Sequence, residues 1–169
     1  MRLEAKAVVV PGDDIDTDVL YPGAYLNVTD VETMKQYLFE GLDPSLRDEL
    51  GSETTALVVG ANFGAGSSRE HVPQAMHAWG VRFLVGRSFA RIFARNCLNL
   101  GLPIVTCAPA AEAVAPGSEI VLDLDEGRVT VDGEVFPIPP FPPFMREMMA
   151  SGGLVSWVHD NLDATTRVA

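Results

Sequence analysis

Apolar positions along the chain fall into short runs with two different periods. Residues 6–10, Thr55-Ala56-Leu57-Val58-Val59, residues 81–85 and Ile104-Val105-Thr106 are brief, continuous and rich in β-branched side chains, the pattern of buried strands. Between them the period changes to that of a helix. Val72, Ala75, Met76 and Trp79 share one face up to Gly80, and Phe89, Ile92, Phe93, Asn96, Cys97 and Leu100 share another until Gly101 and Pro103 end it. Ser88 reads as the N-cap of that second helix. Asn96 is the anomaly on its apolar stripe, either a satisfied buried hydrogen-bonder or a ligand contact. Arg91 and Arg95 occupy a different face, solvated or set against acidic groups of a partner.

Before the second strand the pattern is less regular. Residues 19–28 mix apolar and turn types and predict an ordered loop. Thr29-Asp30-Val31-Glu32 fits a capping box ahead of a stripe of Val31, Met34 and Leu38, and Asp43-Pro44 opens a further short turn of helix. Beyond residue 106 the chain is mostly β. Residues 119–124 and 128–131 predict a hairpin around Asp125-Glu126-Gly127, and Asp132-Gly133 predicts a tight turn into Glu134-Val135-Phe136. Residues 137–143 are proline-rich and extended. Two terminal helices, over 144–150 and 154–161, flank Gly152-Gly153. No internal repeat and no linker interrupts residues 1–169, which read as a single domain.

The chemistry concentrates where the second strand turns into a helix, in Gly60-Ala61-Asn62-Phe63-Gly64-Ala65-Gly66-Ser67-Ser68-Arg69-Glu70-His71. Gly60, Gly64 and Gly66 permit positive φ and close approach of backbone to a ligand. The helix that follows starts with free N–H groups and a positive dipole end, which suits a carboxylate or phosphate. Arg69 adds a planar guanidinium, Ser67 and Ser68 two hydroxyls. The intervals fit neither a Walker A loop nor the dinucleotide fingerprint, so a nucleotide fold is not indicated. A glycine turn of this kind also serves merely as a tight bend; two hydroxyls, an arginine, a carboxylate and an imidazole in five positions favour a site.

Four aspartates, Asp13, Asp14, Asp16 and Asp18, fall within six residues upstream. A calcium loop would need a glycine and a distal glutamate at places where this chain lacks them. The alternatives are a solvated turn with Asp side chains bonded to nearby N–H groups, or Asp18 facing a substrate.

Composition narrows the partners. A formal charge of −11 disfavours nucleic acid and anionic membranes, and no apolar run is long enough to span a bilayer. The N-terminus lacks a signal-peptide core, so a cytoplasmic location is the default expectation. Cys97 and Cys107 are too few and too far apart for a disulfide framework or an iron–sulfur cluster.

In chain order, Gly12-Asp13-Asp14-Ile15-Asp16-Thr17-Asp18, then Asn62 through His71, then Ser88-Phe89-Ala90-Arg91-Ile92-Phe93-Ala94-Arg95-Asn96 resemble the motifs of the 3-isopropylmalate dehydratase small subunits, the separately encoded swivelling domain of the aconitase superfamily. Gly152-Gly153-Leu154 resembles that family's terminal helix, and the likeness covers nearly the whole chain. It implies an α/β fold, an aconitase-type swivelling β/β/α domain. It implies dehydration and rehydration of a malate-type acid in leucine biosynthesis, with a large subunit that carries a [4Fe–4S] cluster and no cofactor on this chain. By motif position Ser67 is the catalytic base, Ser68 and Arg69 contact the substrate carboxylate, and Asp18 lies at the edge of the same site. Ala65 departs from the cysteine many members carry there. Asn27 stands in the substrate-sorting loop where members that handle an extra carboxylate tend to have arginine, and Leu26 and Val28 offer apolar surface for an alkyl group. This favours isopropylmalate over homoaconitate, with homoaconitase or another alkylmalate or citramalate hydro-lyase as the alternative. A non-catalytic anion- or RNA-binding module is the alternative of a different class.

Overall fold

The structure is a computed structural model that describes residues 1–50, 55–66 and 69–166, with side chains described through residue 162. Among the described residues seven strands form one sheet in the order β4-β3-β2-β1-β5-β6-β7. Its seam is β1 (Arg2–Val10). The C-terminal half of β1 pairs in parallel with β2 (Thr55–Val59), from Lys6 opposite Thr55 to Val10 opposite Val59. The N-terminal half pairs antiparallel with β5 (Glu119–Asp123), from Arg2 opposite Asp123 to Lys6 opposite Glu119. The strand therefore starts four residues before the predicted Lys6: the partner strand satisfies backbone groups that the local pattern leaves unassigned.

On one side of the seam lie the parallel strands β3 (Val81–Gly86) and β4 (Ile104–Thr106); on the other, the antiparallel β6 (Arg128–Val131) and β7 (Glu134–Pro137). The predicted hairpins and the three predicted α/β strands are thus one sheet. Alternation along the strands divides the core in two. Val8, Val10, Leu57, Val59 and Leu84 face a helical layer containing α4 (His71–Ala78) and α5 (Arg91–Asn99). Ala7, Ala56, Val58, Phe83 and Val85 face the other way, toward Ile120, Leu122, Val129 and Val131 of the curling β5–β7 ribbon. Ile138, just past β7, lines a groove with Ile104 of β4, although the two strands sit at opposite ends of the sheet order; the sheet curls back toward itself. This is the expected α/β architecture.

Short helices precede the glycine turn: α1 (Thr17–Leu20), α2 (Val31–Met34) and α3 (Leu46–Glu49). α6 (Ala108–Ala113), which no periodicity marked, follows β4 and buries Ala110 in the second core. α7 (Pro143–Ala150) and α8 (Leu154–Thr166) are the last described elements.

Two predicted caps are wrong in detail. α2 is capped by Asp30, whose carboxylate accepts the Thr33 N–H at 2.8 Å and the Thr33 hydroxyl at 2.7 Å, while Glu32 pairs with Lys35. Those hydrogen bonds hold the Asp30 carboxyl below its ordinary pKa. Ser88 does not cap α5, which begins three residues later behind Ala90; the serine is used elsewhere.

Candidate functional site

The site lies beyond the C-terminal ends of the parallel strands, the usual ligand edge of such a sheet. Three connecting segments run side by side there. Residues after β1 bond to the glycine turn after β2: Asp14 N–H to the Ala61 carbonyl at 2.9 Å, Gly64 N–H to Ile15 at 2.9 Å, and Thr17 N–H to Ala65 at 2.8 Å. Residues after β3 bond to its other side, with Phe63 N–H donating to the Ser88 carbonyl at 3.1 Å and Ala90 N–H to Phe63 at 2.9 Å. The Ser88 hydroxyl accepts the Asn62 N–H at 2.7 Å. That bond spans 26 residues, so no local signal marked it.

Gly64 and Gly66 take φ values of +81° and +97°, as predicted. The room they leave belongs to the protein itself. A Cβ on Gly64 would stand 2.3 Å from the Phe93 ring, and one on Gly66 2.6 Å from the Asp16 carboxylate. Gly60 does not share the positive φ; its missing side chain lets the loop backbone at Gly12 pass. The glycines thus admit neighbouring side chains and the upstream loop, where the sequence suggested close approach of a ligand. Asn62 and Asp14 also adopt positive φ, which their short polar side chains tolerate, and the Asn62 amide donates to Asp14 at 2.9 Å.

The four aspartates do not converge. Asp13 accepts from Arg87 and from the Ala61 N–H, and the arginine hydrogen bond foremost holds its carboxyl below the ordinary value. Asp14 serves Asn62, Asp16 accepts the Asp18 N–H at 2.6 Å, and Asp18 accepts from Arg69. Among the described residues no group of three or more His, Cys, Asp or Glu side chains is placed to hold a metal.

Arg69 sits just ahead of α4, whose N-cap residue Glu70 makes no side-chain capping bond. Its guanidinium donates to Asp18 at 3.2 Å and remains 42% exposed, enough to meet a ligand. Its carbonyl accepts the Asn96 amide at 3.4 Å, so Asn96 is a buried hydrogen-bonder that ties α5 to the turn. The structure brings Arg69 and Asp18 together. Ser67 and Ser68 lie outside the described residues.

Asn27 is exposed at the end of the loop between α1 and α2. Leu26 and Val28 beside it pack partly against the helical core, which reduces the apolar surface they present. The loop is tied to the turn: His71 Nε2 lies 3.2 Å from the Leu26 carbonyl, and the buried Tyr21 hydroxyl donates to the Tyr25 carbonyl at 3.2 Å. Burial pushes the Tyr21 phenol up, with Tyr37 adding to it. Cys97 and Cys107 fall in the two different cores, on opposite faces of the sheet, and do not fit a shared cluster. Burial pushes the Cys97 thiol up.

The aconitase C-terminal domain model matches residues 12–109, the segment that holds all three bonded connections. A 3-isopropylmalate dehydratase small subunit of Moorella thermoacetica is 44% identical over 149 residues, 87% of this chain and 89% of the relative. The corresponding small subunit 1 of Methanopyrus kandleri is 46% identical, over 87% of each chain. The crystal structure of 3-isopropylmalate dehydratase (leuD) from Methanocaldococcus jannaschii superposes with a TM-score of 0.90 at 30% identity, covering 100% of both chains.

Proposed function

The chain belongs to the 3-isopropylmalate dehydratase small subunits of the aconitase C-terminal domain family, and we propose that with a large subunit it interconverts 2- and 3-isopropylmalate by dehydration and rehydration in leucine biosynthesis. The observation that carries this reading is the placement of Arg69. It stands half-exposed at the start of a helix, braced by Asp18 and Asn96, where a carboxylate would meet a guanidinium and a helix N-terminus together.

In this reading Ser67 removes the carbon-bound proton. A serine hydroxyl is a poor base, so its alkoxide needs nearby donors, and the turn's N–H groups with Arg69 are the candidates. Ser68 and Arg69 hold the substrate carboxylate, Asp18 orients Arg69, and Asn27 sorts the distal substituent. A [4Fe–4S] cluster carried by the large subunit would supply Lewis-acid chemistry for the departing hydroxyl; this chain supplies acid–base and binding groups. We assign the complex to the cytoplasm. Among the described residues no helix is long and apolar enough to cross a membrane.

The test is reconstitution. Purified chain, large subunit and the anaerobically mixed pair should be assayed for isomerisation of 2-isopropylmalate. Activity is expected in the mixture alone. A mixture that forms a complex with its cluster intact yet turns over no alkylmalate would overturn the assignment.

A further inference from the structure

The loop that carries Asn27 is fastened through two consecutive carbonyls. Tyr21, at the end of α1, is 1% exposed and donates its hydroxyl to the Tyr25 carbonyl. His71, the first residue of α4, places Nε2 against the carbonyl of Leu26, the next residue. A carbonyl can only accept, so the Nε2 proton faces Leu26. The other ring nitrogen, Nδ1, is buried with no hydrogen-bond partner among the described residues. A half-buried imidazole whose only described hydrogen bond is to a loop carbonyl is spent on that loop.

The two donors also touch each other. The Tyr21 ring packs on His71 at 5.5 Å and meets Tyr25 and Tyr37 edge-on at 6.5 and 6.4 Å, while Tyr25 stacks on Tyr37 at 4.0 Å. Tyr25 is therefore held by its ring and its carbonyl, and Leu26 by its carbonyl and by partial burial. With both peptide groups fixed, the direction in which Asn27 leaves the backbone is fixed as well. The other end of the clamp is α4, which starts two residues after Arg69.

We propose that Tyr21 and His71 are positioning residues that lock the Asn27 loop in register with Arg69, so that the substituent and the carboxylate of one substrate are read by a single rigid unit. This rests on the reading of Asn27 as selector, and the test separates the two. In the full chain alone, hydrogen exchange at the amides of Tyr25, Leu26 and Val28 should speed up about fivefold in Tyr21→Phe and in His71→Phe, each of which removes one hydrogen bond. Amides of β2 and β3 should keep their rates. His71→Gln, which retains an N–H within reach of Leu26, should return loop exchange to near wild type. In the complex with the large subunit, the two Phe variants should raise KM for 2-isopropylmalate about fivefold while kcat stays within about twofold. The preference for that substrate over homoaconitate should narrow by a similar factor.

Wild-type loop exchange in both Phe variants would overturn the clamp, whatever the kinetics. Faster exchange with unchanged KM and unchanged preference would overturn its role in recognition. A wild-type complex inert toward every alkylmalate would sink the functional reading instead, and the exchange measurements would still decide the clamp.

Discussion

Ser67 and Arg69 are two residues apart and are assigned opposite duties, one to move a proton and the other to hold a charge. Ser67→Ala in the reconstituted complex should lower kcat by at least about 100-fold and leave KM within about threefold, because general-base groups act chiefly in the transition state. Near-normal turnover would remove the serine from the mechanism. Arg69→Lys keeps the charge and loses the bidentate fork, so KM should rise about tenfold or more. An unchanged KM and kcat would take Arg69 out of the site. Asn27 tests specificity: a distal carboxylate buried without a countercharge is costly. Asn27→Arg should move the ratio of kcat/KM toward homoaconitate, measured with one large subunit throughout. An unmoved ratio would mean the loop is not the selector.

At the scale of elements, the glycine turn depends on what its neighbours put into it. Gly64→Ala would drive a Cβ into the Phe93 ring and force an L side chain to φ near +81°. A loss of about 2 kcal/mol or more in urea unfolding is expected, since left-handed strain and overpacking add. A loss below about 0.5 kcal/mol would show that α5 yields. The strap between the first loop and the strand ends is electrostatic, and its pH dependence has a definite sign. Asp13 is depressed below its ordinary value of 3.8, foremost by the Arg87 hydrogen bond. Its contribution is present above 3.8 and is lost as pH falls through the lower folded-state value. The difference in Tm between wild type and Asp13→Asn should thus be largest near neutrality and shrink below pH 3.8. A constant difference across that window would exclude the ion pair as its source.

Over the whole molecule, the two thiols report how the core is divided. Cys97 and Cys107 belong to different cores and are both buried. Iron and sulfide analysis of the isolated chain after anaerobic reconstitution should find no stoichiometric cluster. A stable [4Fe–4S] species on this chain alone would contradict both the core assignment and the division of labour between subunits. The seam strand β1 joins the parallel half that holds the site to the antiparallel ribbon that covers its back. The site edge therefore rests on contacts made more than a hundred residues away, from Arg2 with Asp123 to Lys6 with Glu119.

Much of this could be read from the chain because it is encoded locally. Continuous β-branched runs marked β2 and β3, a 3.6-residue apolar period marked α4 and α5 within a residue or two, and Asp132-Gly133 marked the β6–β7 turn. Three ordered motifs pointed to the family that the comparisons support. Other features depend on partners distant in sequence. The first residues of β1 are strand because β5 pairs with them, Ser88 caps Asn62 instead of its own helix, and Asp13 is claimed by Arg87, 74 residues away. The glycines' conformations follow from sequence, yet only packing shows that Phe93 and Asp16 occupy the space beside them. Likewise a tyrosine and a histidine fifty residues apart become one clamp only when α1 and α4 meet on the same core. The sequence determines which backbone conformations are cheap; the closed fold decides which donor meets which acceptor, because a buried polar group must take the partner that tertiary packing brings within reach.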